Sequence, residues 1–396
     1  MVVYEVYARD ARVRRHCRAL VSAGHRVSVL AVVDGRSSAS AAADGVTLVP
    51  IARSKYRGDR QLAYLFAYGA FTIRVFFAIL RRVVVRPAPS LVYVNNPPDF
   101  LVFAAWPARL RRIPIVLDVH DMTTELYSAK FGTDRGLVPA LVGAVERVSY
   151  RFSDAVITVA DAYRARIAEV TRPSTPIATV WNVPDGQDWA GIGEERAKRN
   201  GAPGPLRLGH HGTIVERFGI DVAIEAVELM RRRGLDVTLD ILGDGDFADE
   251  VERQIRARDL TDVVRFDRRT FDHADLVAFT DRIDLGIAPY RPSEFTSHSL
   301  PTKLLEYMAL GVPAVVTETE MIRDYLGDGV HTIRGGSAEE LVTAVEELID
   351  PERRAAYRRA GLELARRYAW PEQRSTLLAL VHRLMARPRR ARHASA

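Results

Sequence analysis

Apolar runs rich in Val and Ile alternate with stretches of helical periodicity along the whole chain. This alternation is typical of stacked βαβ units, because crossover helices cover both faces of a parallel sheet. In the first half, we expect strands at Val2–Tyr7, Arg26–Val32, Leu91–Val94, Ile115–Val119 and Ala155–Val159. The pattern restarts near Leu206, with strands at Arg207–His210, Asp236–Leu242, Val263–Phe266, Leu285–Ala288 and Ala314–Thr317. The sequence therefore predicts an α/β protein with two doubly wound parallel-sheet domains.

The two patterns are separated by residues 185–205, where glycine and proline collect among polar residues. Such a stretch cannot continue either sheet, so we expect a linker between an N-terminal domain over residues 1–184 and a C-terminal domain over residues 206–370. After Trp370–Pro371 we expect a C-terminal helix over residues 371–386 that returns to the N-terminal domain. Residues 387–396 form a basic tail for which we expect no fixed structure.

Composition narrows the class of protein. The 396 residues are 47% hydrophobic and 27% charged, which suits two buried cores and excludes a disordered or fibrous chain. The single cysteine, Cys17, excludes an internal disulfide and a cysteine-based zinc site. The net charge is only +6 and the arginines are interleaved with acids, so we expect no nucleic-acid partner. Four of the 56 basic residues are lysines, which makes each lysine notable.

One segment, Leu62–Val85, is apolar enough to raise the question of a membrane. It contains Phe71, Phe76 and Phe77, but also Arg74, Arg81 and Arg82, which argue against a spanning helix. Two interpretations stay open: a helix buried against a sheet, or a surface helix lying in a membrane interface. Because Met1 leads into a β-like run and not into a signal peptide, we expect a cytoplasmic protein, with peripheral contact at the inner face of the cell membrane as the second interpretation.

Polar residues follow two predicted strands of the first half, where open α/β sheets bind ligands. His120 and Asp121 follow Ile115–Val119, and Glu125 comes about one turn later. An imidazole beside carboxylates can bind a sugar hydroxyl or move a proton, although a loop histidine bonded to a carbonyl is an equal alternative. Asn95, Asn96 and Asp99 follow the preceding strand and offer further polar groups, or simply cap the next helix.

The most informative cluster of the second half surrounds Lys303. Ser299 and Thr302 can cap the helix that begins there, and Lys303 adds a cation to its positive end. This arrangement suits a diphosphate. Glu306 lies one turn further along an apolar helix, where it is either an unusual core acid or an acceptor for ligand hydroxyls, and we favour the second interpretation.

Two glycine-containing turns give weaker signals. Gly212 and Thr213 follow the first strand of the second half and lead to Arg217, which suits an anionic group. Gly243 and Asp244 follow the next strand. Although Asp244–Gly245–Asp246 matches a short Asp-x-Asp metal pattern, its glycines also explain it as a turn, and we expect no metal and no cofactor.

Together these residues resemble the family-4 retaining glycosyltransferases, whose GT-B architecture has two facing Rossmann-like domains and a cleft between them. The resemblance covers nearly the whole chain and is carried by Asp10–Val13 with Gly24–Val27, Asp118–Asp121, Asp154–Val159, Trp181–Val183, His211–Gly219, and Lys303–Glu306 with Gly311–Pro313. It implies a nucleotide-diphosphate sugar donor and transfer with retention of configuration.

The resemblance also implies roles for individual residues. Arg217 and Lys303 would hold the diphosphate, Glu306 would bind the ribose, and His120, with Asp121 beside it, would meet the transferred sugar. The remaining donor contacts would come from Gly212, Thr213, Gly243, Asp244, His298, Ser299, Leu300 and Thr302. We expect acceptor contacts at Asn95, Asn96, Asp99 and Glu125. A lipid-linked acceptor, as in surface polysaccharide or glycolipid assembly, would suit the aromatic and arginine-rich segment.

Three positions depart from the family pattern and keep rival functions open. His298 stands where the family often has a glutamate, and Thr213 and Phe218 stand where it often has an arginine and a lysine. A sugar-nucleotide epimerase, a phosphorylase or an inactive GT-B-like binding protein are therefore alternatives. A dehydrogenase is disfavoured because neither half has Gly-x-Gly-x-x-Gly after its first strand.

Overall fold

The computed structural model describes residues 1–56, 61–85, 87–131, 136–184, 189–197, 204–293, 296–297 and 300–386. The chain divides into two compact units, Met1–Asn182 with Pro371–Ala396, and Val183–Trp370. Each unit is built on one sheet whose paired strands are all parallel, with seven strands in the first unit and six in the second. The predicted pair of doubly wound α/β domains is confirmed.

The sheet of the first unit has the strand order β3-β2-β1-β4-β5-β6-β7. Its strands are β1 (Val2–Val6), β2 (Ser28–Val32), β3 (Thr47–Ala52), β4 (Val92–Asn95), β5 (Ile115–Val119), β6 (Ala155–Thr158) and β7 (Ile177–Thr179). The central strands β4, β5 and β6 are buried along their whole length, which explains why each is a continuous apolar run with so few polar residues.

The helices of the first unit cover both faces of this sheet. They are α1 (Ala11–Ser22), α2 (Ser37–Ala43), α3 (Gln61–Val84), α4 (Trp106–Leu110), α5 (Thr123–Phe131), α6 (Leu137–Phe152) and α7 (Asp161–Val170). Crossovers between parallel strands are right-handed, and the strand order reverses direction after β3. The helices α1 and α2 therefore lie on one face, and α3 to α7 lie on the other.

The second unit has the strand order β10-β9-β8-β11-β12-β13. Its strands are β8 (Leu206–His211), β9 (Val237–Gly243), β10 (Val264–Arg268), β11 (Leu285–Ala288), β12 (Ala314–Thr317) and β13 (His331–Ile333). Its helices are α8 (Trp189–Ala197), α9 (Ile220–Arg232), α10 (Ala248–Ala257), α11 (His273–Thr280), α12 (Thr302–Ala309), α13 (Glu320–Tyr325), α14 (Ala338–Glu347) and α15 (Pro351–Arg367). One apolar core joins β8, β9 and β11 to α9 and α14.

The expected linker over residues 185–205 is wrong for its middle part, which forms helix α8. Trp189 is buried, and the Arg196 Nη1 atom donates to the backbone O of Leu310 at 2.8 Å. A Cβ atom on Gly193 would lie 2.6 Å from the backbone O of Ala309. This glycine therefore permits close packing within the second unit and does not mark a free chain. Residues 185–188 and 198–203 lie outside the described residues.

Two other differences from the sequence-based expectation have local causes. The helix expected after Asn95, Asn96 and Asp99 is a 3-10 helix, Asp99–Ala105, followed by α4, because Pro107 lacks the N–H that a continuous helix needs and stands near the start of a new one. The unpredicted strand β3 is a half-exposed edge strand, so its sequence lacks the buried Val and Ile run of the centre.

Helix α16 (Trp370–Ala386) belongs almost entirely to the first unit. The Gln373 Oε1 atom accepts a hydrogen bond from the Trp181 backbone N–H at 2.9 Å, and Leu377, Val381 and Leu384 are buried. The basic tail, residues 387–396, lies outside the described residues.

Helix α3 combines the two interpretations that the sequence left open. Phe71, Val75, Ile79 and Val83, spaced four residues apart, are buried, and the Phe71 ring contacts the Tyr4 ring of β1. Phe77 on the opposite side is exposed, whereas Phe76 is half-buried. Phe71 therefore fits the interpretation of a helix buried against a sheet, whereas the exposed face that carries Phe77 fits the interfacial interpretation.

Candidate functional site

A buried ion pair lies behind the carboxyl end of β5 in the first unit. The Arg12 Nη2 atom donates to Asp118 Oδ1 at 2.7 Å, and Arg12 Nε donates to Asp118 Oδ2 at 3.1 Å. Both side chains are buried. Asp10 caps the first turn of α1 by accepting from the Val13 backbone N–H, which starts the helix so that Arg12 points at the strand end.

Two aromatic side chains complete this pair. The Tyr93 hydroxyl donates to Asp118 Oδ2 at 2.9 Å and lies 2.8 Å from His16 Nδ1. Burial lowers the pKa of His16 to about 3, with Arg12 as a second cause, so His16 is neutral and its Nδ1–H donates to the tyrosine oxygen. Burial alone would raise the pKa of Asp118, but Arg12 and then His120 hold it well below its usual range.

His120 stands directly above this network. Its Nε2 atom is 3.2 Å from Asn95 Oδ1 and 3.5 Å from Asp118 Oδ2. Asn95 in turn donates to the backbone O of Val2 at 2.9 Å, which fixes its amide orientation. The imidazole keeps part of its surface exposed. A partly open ring held at one nitrogen can offer its other edge to a ligand.

Asn96 holds the loop that carries His120. Its Oδ1 atom accepts from the His120 backbone N–H at 2.6 Å, and its Nδ2 atom donates to the Asp121 backbone O and to Asp99 Oδ1. The amide thus uses both kinds of hydrogen-bonding group. Burial, with Glu146 as a second cause, raises the pKa of Asp99 to about 7.

The expectation that Asn95, Asn96, Asp99 and Glu125 contact an acceptor is wrong for these side chains. Their exposed fractions are 0%, 2%, 2% and 2%. Glu125 forms an ion pair with Arg166 and accepts from the Tyr163 hydroxyl. Buried polar groups at strand ends must be bonded, and here they are bonded to the loop backbone and to neighbouring side chains. They position His120 and Asp121 and are not themselves a binding surface.

The cation predicted for the second unit is buried in an unusual setting. Lys303 lies in the first turn of α12 and is 7% exposed. Its Nζ atom is 3.0 Å from His210 Nε2, while His210 Nδ1 is 3.0 Å from the backbone O of Ile287. Burial, with Lys303 as a second cause, lowers the pKa of His210 well below its usual range. Neutral His210 therefore donates from Nδ1 and accepts the lysine hydrogen at Nε2.

Aromatic faces occupy two further sides of the ammonium group. Lys303 Nζ lies 5.1 Å from the Phe218 ring centre and 5.4 Å from the Tyr290 ring centre. The Arg217 guanidinium lies 5.1 Å from the same Phe218 ring. Phe218, which stands where the family often has a lysine, thus contacts two cations through its face. Burial lowers the pKa of Lys303 to about 7, an effect that Glu306 partly offsets.

Glu306 lies three residues after Lys303 and hence on the same face of α12. Its Oε2 atom is 3.6 Å from His211 Nε2, and its side chain is partly exposed. Burial, and then Lys303, lower the pKa of His211 well below its usual range, so the imidazole is neutral. The helix itself begins at Pro301, whose side chain supplies no cap, so Thr302 is the first helical residue and not the predicted cap.

Glycines at the strand ends bring the turns of this site together. Gly219 has φ +68°, and a Cβ atom there would lie 1.8 Å from the backbone O of Pro289. Gly243 has φ +152°, and its Cβ atom would lie 1.9 Å from the backbone O of Gly212. Only glycine permits both the positive φ and the close approach. The residues Gly212, Arg217 and Lys303 consequently lie close together.

Other predicted donor contacts are less well placed. Asp244 is half-exposed and accepts from Arg268 Nε at 3.1 Å, so its carboxylate is used at the surface. Thr213 is exposed, and Leu300 and Thr302 are half-buried. His298 and Ser299 lie outside the described residues. Across the described part of the chain, no group of three or more His, Cys, Asp or Glu side chains is arranged to hold a metal ion.

Several residues of the two clusters were missed from sequence. Asp118 sits in a buried apolar strand and Arg12 on the buried face of α1, and a charge at such a position was the available signal. His210 directly precedes a predicted glycine turn, yet its spacing to Lys303 gives no local pattern. Tyr290 is brought to Phe218 by the fold alone.

Comparison with known families and proteins gives three kinds of match. Residues 10–182 match the family model described as "Glycosyl transferase 4-like domain", and residues 205–351 match "Glycosyl transferases group 1". A glycogen synthase of Mycobacterium tuberculosis is 27% identical over 359 residues, covering 86% of this chain and 82% of that protein. A phosphatidyl-myo-inositol mannosyltransferase of Mycobacterium leprae is 31% identical over 157 residues, covering 39% of this chain and 40% of that protein.

Among solved structures, the chain is similar to Anabaena Alr3699/HepE in complex with UDP and glucose. The TM-score is 0.69 at 16% identity, with 96% of this chain and 99% of that chain covered. At this identity the similarity concerns the fold.

The buried ion pair gives a stability prediction. Changing Asp118 to Asn should lower the free energy of unfolding by about 3–5 kcal/mol, because Arg12 is left as a buried charge without its partner. The matched control is Asp244→Asn, which breaks the half-exposed pair with Arg268 and should cost less than about 1 kcal/mol. Urea titrations followed by circular dichroism measure both. Equal losses in the two variants would contradict the assignment.

Proposed function

The chain belongs to the GT-B glycosyltransferases of the family-4 type, and on that premise we propose that it moves a sugar from a nucleotide-diphosphate sugar to an acceptor with retention of configuration. The observation that carries the proposal is the Lys303 cluster. A buried ammonium, a guanidinium at Arg217 and the first turn of α12 converge beside a partly exposed carboxylate, Glu306.

We assign the diphosphate to Arg217 and Lys303. As the glycosidic bond breaks, negative charge accumulates on the leaving diphosphate, and cations already fixed in place stabilise that charge without reorganising. His210 fixes the direction of Lys303, and the positive end of the α12 dipole lies at the turn that carries Lys303. Backbone groups at Gly212 and Gly243, with Thr213, Leu300, Thr302, His298 and Ser299, would complete the donor contacts.

We assign the sugar-recognising groups by the same chemistry. Glu306 would accept hydrogen bonds from the ribose hydroxyls, because its side chain is partly exposed and a carboxylate offers two acceptor oxygens. His120, aligned by Asn95 and Asp118, would contact the transferred sugar, with Asp121 beside it. The leaving phosphate would serve as base in a front-face substitution, and we propose that the reaction needs no metal ion.

For the acceptor we propose a lipid-linked molecule, met in the cytoplasm at the inner face of the cell membrane, in surface polysaccharide or glycolipid assembly. One relative is named for transfer to phosphatidyl-myo-inositol, and the exposed apolar face of α3 supports a peripheral membrane contact for this chain. The acceptor contacts expected at buried side chains are not part of this proposal.

Donor binding can be tested without knowing the acceptor. A panel of nucleotide sugars should contain at least one that raises the melting temperature. With that sugar, Lys303→Ala should weaken binding in calorimetry roughly 10–100-fold, because a charge-assisted hydrogen bond contributes about 1.5–3 kcal/mol. Lys55→Ala is the matched control, since Lys55 pairs with Glu5 in the first unit and should leave affinity unchanged. Unchanged affinity in Lys303→Ala would remove the donor-site assignment.

The lowered pKa of Lys303 predicts how affinity varies with pH. Binding needs the ammonium form, which is populated below about pH 7 in the free protein. Above that pH the complex must take up a proton, so the dissociation constant should rise roughly tenfold per pH unit. A sugar-capped diphosphate is the right probe because it has no terminal phosphate proton. Lys303→Arg stays charged and should give a flatter profile; a flat wild-type profile from about pH 6 to about pH 9 would oppose the assignment.

Retention can be measured with water as the acceptor. Slow hydrolysis of the donor should release a sugar with the anomeric configuration of the donor, visible by proton NMR before mutarotation. The rate should not change when a chelator is added. An inverted first product would exclude retention, and conversion of the donor into an epimeric sugar nucleotide would favour the epimerase alternative.

A further inference from the structure

Large apolar side chains that remain exposed are concentrated on one part of the first unit. Thirteen of the fifteen such residues found in the described residues lie on α3, α4 and α6 or directly after α3. They are Leu65, Phe66, Ile73, Phe77, Leu80, Val84, Val85, Trp106, Leu110, Leu137, Val138, Leu141 and Val148. The most exposed are Leu137 at 90%, Phe66 at 80% and Leu110 at 74%. Monomeric soluble proteins rarely expose so many large apolar side chains in one region.

The topology places these three helices in one layer. They belong to crossovers on the same face of the sheet, and α3 contacts α4. Helix α4 also contacts α6. The Trp106 ring stacks on the Phe152 ring with 5.7 Å between the ring centres, and the Arg109 side chain donates to the Phe152 backbone O. Each helix also has a buried side, with Val75 on α3, Ala108 on α4 and Tyr150 on α6, which places the exposed side chains on the outer side of this layer. We call it the apolar layer.

The charges of the apolar layer have one sign. Its helices contain Arg74, Arg81, Arg82, Arg109, Arg147 and Arg151. The single acid within α3, α4 and α6 is Glu146, which is buried and accepts from Thr124. Arginine can keep its guanidinium in water while its alkyl stem lies along an apolar surface. A cationic apolar surface is complementary to a partner surface that carries negative charges above an apolar interior.

Helix α3 is long and apolar enough to cross a membrane by length and composition, and only 17% of its most apolar stretch is buried. Its buried side, however, packs on the sheet through Phe71, Val75 and Ile79. Crossing a bilayer would strip those contacts, whereas lying in the interface keeps them.

We propose that the apolar layer binds the surface of an anionic lipid bilayer, with α4 and α6 contributing as well as α3. A second copy of this chain is the poorer partner, because a two-fold contact would oppose arginine with arginine. The inference deepens the proposed function, since it gives the lipid-linked acceptor a surface at which to arrive, and it rests on that proposal for its biological purpose.

Vesicle flotation of the full chain tests the layer. The protein should float with vesicles of phosphatidylcholine mixed with phosphatidylglycerol, less with phosphatidylcholine alone, and less at high salt. A triple variant places all of its changes outside α3: Leu110→Glu, Leu137→Glu and Leu141→Glu. These changes should lower the partition coefficient of the protein into anionic vesicles roughly tenfold or more. If only α3 bound lipid, this triple variant would float like the wild type, which would overturn the three-helix surface.

A matched pair of single variants separates position from charge. Leu137→Glu and Ile349→Glu each add one negative charge at an exposed apolar side chain, but Ile349 lies in the second unit. Only Leu137→Glu should reduce flotation. Equal reduction in both, or a wild type that stays soluble with anionic vesicles, would refute the proposal. Light scattering that shows a dimer broken by Leu137→Glu would assign the layer to a second copy instead.

Donor binding is measured separately on the same variants. Thermal stabilisation by the selected nucleotide sugar should be unchanged in Leu137→Glu. If Leu137→Glu loses flotation but still binds the donor, the change affects only membrane binding by the apolar layer. If the protein floats but binds no nucleotide sugar, the donor assignment is refuted and the membrane proposal stands.

Discussion

The buried pair of Arg12 and Asp118 is the interaction on which the order of the first unit's site depends. A carboxylate inside a parallel sheet is costly unless its oxygens are paired, and here Arg12 meets both while Tyr93 adds a further bond. The same carboxylate lies beside His120. The alignment of that imidazole is therefore set by α1, β4 and β5 together, and a loop alone could not hold it as well.

The second unit holds its charge differently. Lys303 donates to a neutral imidazole and faces two aromatic rings, which attract a cation without neutralising it. The cost of burying that charge is expressed in a pKa lowered to about 7, which Glu306 only partly offsets. A polyanion that binds here gains a strong electrostatic attraction, because it supplies the negative charge that Glu306 provides only in part. The low pKa and the proposed preference for a diphosphate thus have one cause.

Much of the fold was visible in the sequence because buried parallel strands are continuous Val and Ile runs, as in Ile115–Val119, which the structure reproduces residue for residue. The edge strands β7 and β13 were missed because each has only three residues, β3 because it is half-exposed, and α8 because it contains two glycines. For the site, Lys303 and Glu306 share a helix and could be found together, whereas His210 lies 93 residues away in sequence. Exposure could not be foreseen either: polar residues after a strand, such as Asn95, fit a ligand contact and a buried support equally well, and only packing decides between them.

The position of the apolar layer relative to the sheet bears on how an acceptor would arrive. In an open α/β sheet the helices cover the two faces, whereas the functional side chains lie at the carboxyl ends of the strands. The direction from the sheet to its helices is therefore roughly perpendicular to the direction of the strands. A bilayer bound to the outer side of α3, α4 and α6 would therefore lie beside the edge that carries His120 and not over it. A soluble donor could still enter from water while a lipid-linked acceptor approached along the membrane. Binding to a face in this way would keep the two proposed substrates in different phases, which the same helices could not do if they were buried on both sides.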